Sequence, residues 1–158
     1  MARFDADGFD ALIKEMEAEG ADIGPRADRV LLAGAEEVKK AWQAAADEFG
    51  LRRTGKMIAA IGYSTKVQRV SEARVVEIYP QGTGTYTDKG SKTPRTVRHA
   101  EKAYILHWGT TSSAALRRRK EKKFTGPGIP RTLWVDRAEE IAEAPAVEAM
   151  QKAWEEEK

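Results

Sequence analysis

Between Pro25 and Gly50 the apolar residues Leu31, Val38, Trp42, Ala45 and Phe49 recur at steps of seven, four, three and four. That spacing keeps side chains on one face of a helix of about 3.6 residues per turn. Pro25 suits the first helical turn, where its missing N–H costs nothing, and Gly50 suits the left-handed position just past the last turn. The pattern predicts one helix over Pro25–Phe49, about 37 Å long at about 1.5 Å rise per residue. An element of that length in a chain of 158 residues constrains everything else, because its apolar face must be covered, and a sheet is the expected partner. The fold class that follows is α+β: a small antiparallel sheet packed by this long N-terminal-half helix, with a C-terminal helix and two long loops, in a single domain over residues 1–158.

The remaining elements are shorter. Phe9, Leu12, Ile13 and Met16 form one apolar stripe, predicting a helix from near Asp7 to Gly20. Met57, Ile58 and Ile61 predict a short helical segment after Thr54 and Gly55. From Tyr63 to Tyr79 the texture turns β-branched and aromatic (Thr65, Val67, Val70, Val75, Val76 and Ile78), broken by Ser71 and Glu72, which predicts a hairpin whose second strand stops at Pro80. Residues 81–94, with Gly82, Gly84 and Gly90 among threonines and charges, read as a long flexible tip. Ala100–Trp108 is an apolar segment ending sharply at Gly109, and 111–128 reads as a second long loop. Thr132–Val135 fits a short strand, and Asp136 is the expected cap of a terminal helix, bent or restarted at Pro145.

Composition removes most chemistry. The chain has no cysteine and two histidines, which excludes disulfides, thiol catalysis and sulfur-ligated zinc, and leaves little for an imidazole site. His99 and His107, eight positions apart, would lie about 12 Å apart on a helix, too far to share a metal; they are expected at a surface or interface. Gly90, Ser91, Lys92 and Thr93 resemble a phosphate-binding loop, but Ser91 separates the glycine from the lysine and Pro94 forbids the helix that should follow. Glu72, Glu77, Asp88 and Glu101 stand among basic residues without a nucleophile, as solvated charge-balancing groups do. The expectation is no catalysis, no cofactor and no metal. The N-terminus carries Asp5, Asp7 and Asp10 where a signal peptide would be basic and then apolar, so the chain is expected to be made and kept in a cytoplasm.

The net charge of +2 conceals a partition. Residues 1–50 sum to −6, residues 51–135 to +13 and residues 136–158 to −5. Acidic helices lying on a basic sheet would explain it within one molecule; so would subunits attracting one another through opposite patches, or a basic surface offered to a polyanion. The densest cationic stretch is Arg117, Arg118, Arg119, Lys120, Lys122 and Lys123, interrupted by Glu121. It is either a solvated loop or a contact for phosphates that would be independent of base sequence and steeply salt-dependent. No aromatic residue interleaves it, so stacking on single strands is not indicated. A basic nucleic-acid-binding accessory protein using this run and Arg95–Arg98 is the alternative reading.

Three short stretches carry a likeness to a known family. Thr54-Gly55-Lys56-Met57-Ile58, then strands, then Tyr104-Ile105-Leu106-His107-Trp108-Gly109-Thr110, then Ile129-Pro130-Arg131-Thr132-Leu133 before a C-terminal helix resemble the tail-component family of long-tailed phages, which contains tail-completion and head-tail joining proteins of the neck. The positions that match its pattern are Thr54, Gly55, Tyr104, Trp108, Gly109, Thr110 and Pro130. The chain departs at His107, where the family commonly has an acidic residue, and its 81–94 and 111–128 loops are long. The resemblance implies an α+β protomer in a symmetric ring between capsid portal and tail tube, with Tyr104, Trp108, Gly109 and Thr110 at an interface. It implies as partners copies of itself, adjacent connector and tail proteins and packaged double-stranded DNA, no membrane, and a place in the virion at the head-tail junction. The 117–123 run would line the lumen or clamp the next ring. Trp108 is then an inter-subunit anchor or, on the residue pattern alone, a core aromatic at the end of its segment.

Overall fold

The structure is a computed structural model, and it describes residues 24–52, 54–71, 73–87, 93–110 and 128–156. Four helices and six strands occur among them: α1 Gly24–Glu48, α2 Lys56–Ala59, β1 Ile61–Tyr63, β2 Gln68–Val70, β3 Ala73–Val75, β4 Ile78–Pro80, β5 Thr83–Tyr86, β6 Arg95–Arg98, α3 His99–Trp108 and α4 Trp134–Glu155. The architecture is α+β, as the sequence predicts. Its strands form three two-stranded sheets, β1 with β4, β2 with β3 and β5 with β6. No helix among the described residues is long and apolar enough to cross a membrane. The helix expected near Asp7–Gly20 lies outside the described residues.

α1 ends as Gly50 requires. Gly50 has φ 65°, its N–H donates to Asp47 O at 2.9 Å, and the Leu51 N–H donates to Ala46 O at 2.9 Å. These are the paired reverse bonds that satisfy the last carbonyls of a helix closed by a left-handed residue. Arg52 then folds back on Asp47 with two bonds of 2.8 and 2.7 Å, which holds the exposed Asp47 carboxyl below the ordinary carboxylate range.

The residues group into two compact units that share α1 and α4 along the chain. In the first, residues 24–41, 63–78 and 139–156, the buried apolar side chains are Ala27, Val30, Ala35, Ala41, Ala142 and Ala146. Mostly alanine, this set lets helices approach closely: a Cβ on Gly34 would stand 2.8 Å from both Cγ and Sδ of Met150. Arg26 lies over the Trp154 ring with its Cζ 3.2 Å from the centroid and donates to the Trp154 carbonyl, so α1 and α4 run antiparallel here. The partner expected for α1 was a sheet; in this unit the apolar contact is a helix, and the β2–β3 hairpin touches α1 through polar groups instead. Arg74 of β3 donates to Gly24 O and to Asp28, and Tyr63 Oη donates to Glu36 Oε2 at 2.9 Å. Partial burial works to raise the Glu36 pKa, yet the bonds from Tyr63 and Lys39 outweigh it and hold the carboxyl below its usual value. Burial, and then the bond to Glu36, push the Tyr63 hydroxyl up.

The second unit, the described residues of 42–62 and 79–138, holds the aromatic core. Trp134 is fully buried and Trp42 nearly so, meeting edge to face with centroids 5.2 Å apart and planes at 81°, the arrangement that ring quadrupoles favour. Met57, Ile58, Ile61, Ala45, Ala46, Ala103 and Ala138 complete this core. Gln81 N–H donates to Ala60 O at 2.7 Å and His99 N–H to Gly82 O at 3.1 Å, tying each end of the β4–β5 link to the strands and helix around it.

Four expectations are corrected. Residues 83–86 are strand β5, antiparallel to β6 with Thr83 opposite Arg98 and Tyr86 opposite Arg95, so the 81–94 segment is not one open tip. Thr132–Val135 is not a strand, because α4 begins at Trp134. Asp136 sits inside the first turn of α4 and is not its cap. Pro145 does not restart that helix: α4 is continuous over 22 residues with the proline inside it.

Candidate functional site

α3 places Tyr104 and Trp108, four residues apart, on one face, where they lean together at 6.4 Å between centroids and 52° between planes. Tyr104 is 65% exposed and Trp108 46% exposed, values that take both out of the core. Of the two sequence readings of Trp108, the core one is therefore set aside. The Arg131 guanidinium stands over the Trp108 ring, Cζ 4.8 Å from the centroid, a geometry in which a cation is attracted to an aromatic face. The His107 ring meets Trp108 edge-on at 4.6 Å. The result is a surface aromatic pair braced on one side by a buried imidazole and overlaid by a cation.

Backbone chemistry at Gly109 fixes that surface. Gly109 ends α3 at φ 70°, ψ −177°, a conformation essentially reserved for glycine. There is no room for a side chain either: a Cβ would lie 2.7 Å from Arg131 N, 2.7 Å from Ile129 O and 2.9 Å from Pro130 C. The strand of chain at 129–131 crosses directly over the glycine and is bonded on both sides of it. Thr110 N–H donates to Ile129 O at 2.8 Å, and Ile129 N–H donates to Thr110 Oγ1 at 2.8 Å. Thr132 and Leu133 N–H both reach His107 O at 3.2 Å, and Thr132 Oγ1 donates to Leu106 O at 2.7 Å. Five bonds thus clamp Leu106–Thr110 to Ile129–Leu133.

His107 joins the clamp to α4. Both histidines, expected at a surface or interface, are buried within the chain, His99 at 6% and His107 at 7% exposure. The reason for His107 is the helix behind it. Its Nδ1 accepts the Val135 N–H at 3.4 Å, while its carbonyl takes the Leu133 N–H, so it pairs two donors at the start of α4 that the helix itself leaves without a carbonyl. Its Nε2 lies 3.6 Å from Asp136 Oδ1. Burial pushes the His107 pKa below its ordinary value; Asp136 opposes this and Arg131 adds to it. The ring is therefore neutral at pH 7, with Nδ1 the acceptor and Nε2 the protonated nitrogen facing the carboxylate.

Of the four residues expected at an interface, Tyr104 and Trp108 are exposed, and Gly109 and Thr110 lie in the clamp beside them. The basic run Arg117, Arg118, Arg119, Lys120, Lys122 and Lys123 lies outside the described residues. Arg95 and Arg98 are exposed positions at the two ends of β6. Among the described residues no group of three or more His, Asp or Glu side chains is placed to hold a metal ion. Arg131 is the contributor that sequence reasoning passed over as a site residue; its signal, an arginine directly after Ile129-Pro130, means nothing until the clamp sets it over Trp108. Chemically, exposed rings backed by a rigid turn and paired with a guanidinium can bury area at little entropic cost, as interface anchors do. Comparison of the chain with protein-family models, with curated proteins and with solved structures finds no match to any of them.

Proposed function

We propose that this chain is a structural subunit of a tailed-phage neck: a tail-completion or head-tail joining ring that connects the capsid portal to the tail. Its work is mechanical. The observation that carries the reading is the clamp at Gly109, which holds an exposed Tyr104–Trp108 pair rigidly at a surface on the same short stretches that resemble the tail-component family. Exposed aromatics on a preorganised backbone suit a face that meets another protein, since little freedom remains to be lost on docking. The opposite charges of the middle and the two ends of the chain suit contacts in which one surface of a subunit meets a different surface of the next, the kind that closes rings. Copies of this chain, the adjacent connector and tail proteins and the packaged duplex are the partners the reading requires, and the mature particle is its location.

The experiment is direct. Particles purified from cells carrying the genome that encodes this chain should contain it at a fixed copy number per particle, located by cryo-microscopy at the head-tail junction. Absence of the chain from purified particles would end the proposal.

A further inference from the structure

A second surface on the chain has the character that the Trp108 face lacks. Along α4, Glu140, Glu143, Ala144, Val147, Glu148 and Gln151 line a shallow groove of about 410 Å³. Their spacing puts them on one side of the helix, away from the buried Ala138, Ala142 and Ala146. The groove floor is apolar, with Val147 36% exposed, and its rim is acidic, Glu143 and Glu148 both being exposed. The Trp108 face is the converse, with exposed aromatic rings under a guanidinium, within a chain segment that carries +13 where the α4 segment carries −5.

We infer that these two surfaces are partners across molecules: the Tyr104–Trp108–Arg131 knob of one copy docks on the α4 groove of a second copy of this chain. The rings would cover Val147 and Ala144 while Arg131 faces Glu143 and Glu148. The contact is head-to-tail, so each copy keeps one free knob and one free groove, and the assembly grows until it closes. This inference deepens the ring reading by naming the surfaces that would build it, and it rests on that reading only for the ring's place in a virion.

The absence of cysteine from the chain makes the test clean. A Tyr104→Cys variant and a Val147→Cys variant, mixed at equal concentration and oxidised, should give a disulfide-linked dimer, whereas neither variant alone should. Sedimentation velocity over a concentration series supplies the second arm. Trp108→Ala and the double variant Glu143→Lys, Glu148→Lys should each weaken self-association by at least about 30-fold, the scale of losing an interface hot spot. An equimolar mixture of the two should restore dimers and nothing larger, because each retains one intact surface. Raised salt should weaken the wild-type association. Equal cross-linking of each cysteine variant with itself, no cross-link on mixing, or self-association untouched by both sets of substitutions would overturn the inference. Any of those results could coexist with the chain being found at the neck, and a positive result could coexist with its absence from particles, so the two failures are distinguishable.

Discussion

Replacing Gly109 by alanine is the sharpest probe of the clamp. The substitution meets two separate obstacles. At φ 70°, ψ −177° a side chain strains the backbone by about 1–3 kcal/mol. A Cβ 2.7 Å from Arg131 N and from Ile129 O also cannot be accommodated by rotating a side chain, because both atoms are backbone. The 129–131 segment must retreat, and the two bonds between Thr110 and Ile129, each 2.8 Å, would be lost at about 1 kcal/mol each. The expected cost of Gly109→Ala is therefore about 3–5 kcal/mol, a large part of the roughly 5–15 kcal/mol that holds a typical domain. Gly50→Ala is the control, since Gly50 has φ 65° with nothing within 4 Å of where a Cβ would stand, so it should pay only the left-handed cost of about 1–2 kcal/mol. Urea unfolding followed by tryptophan fluorescence and circular dichroism gives both numbers. Equal losses in the two variants, or a loss below about 1 kcal/mol at Gly109, would refute the account of the clamp.

Other expectations follow from the cores and from His107. Trp42→Ala should cost about 3–5 kcal/mol, as large-to-small aromatic changes in a core do, since Trp42 is buried against Trp134; a loss under about 1 kcal/mol in chemical denaturation would mean that the ring pair is not a core. Gly34→Ala should stay within about 1 kcal/mol of wild type, because the gain in helix propensity is set against displacing the flexible end of Met150, whereas Gly34→Leu should destabilise clearly. Because burial lowers the His107 pKa in the folded state, the unfolded chain binds the proton more readily. Stability should hold above the ordinary histidine value, fall as the pH drops through about 6.5 toward the folded-state value, and then level. His107→Gln should lack that dependence between about pH 6.5 and the folded-state pKa, measured as denaturation midpoints across a pH series.

Much of the fold could be read from the residues. The long helix is legible because Pro25 and Gly50 punctuate a sustained period, and its end at Gly50 has the bonds that period demands. The turn at Ser71, at φ 57°, is legible where Ser71 interrupts the β-branched runs, but the hairpin's second strand ends at Val75; the strand that stops at Pro80 is β4, which pairs with β1 instead. β5 is hidden because Thr83-Gly84-Thr85-Tyr86 lacks an alternation of apolar residues, and what places it is a backbone ladder with β6. The packing of α4 is hidden for the opposite reason: Ala138, Ala142 and Ala146 are wholly buried, but alanine signals a helix more than it signals a core. Tyr104, Trp108, Gly109 and Thr110 stand together because they are neighbours in sequence, yet the reason for the glycine is not legible there. That reason lies in residues 129–131, some twenty positions onward, and local periodicity does not report a crossing between distant segments. The histidines mislead in the same way, since the donors that justify burying His107 belong to α4.

The most direct test of the central claim, that this polypeptide acts by fitting between copies of itself and neighbouring assembly parts, is the mass spectrum of intact head-tail junctions isolated from purified particles under native conditions. The account predicts a discrete oligomer of this chain within them, lost when Trp108 is replaced by alanine. A junction that assembles fully without the chain, or one that holds it as a solitary protomer, would contradict it.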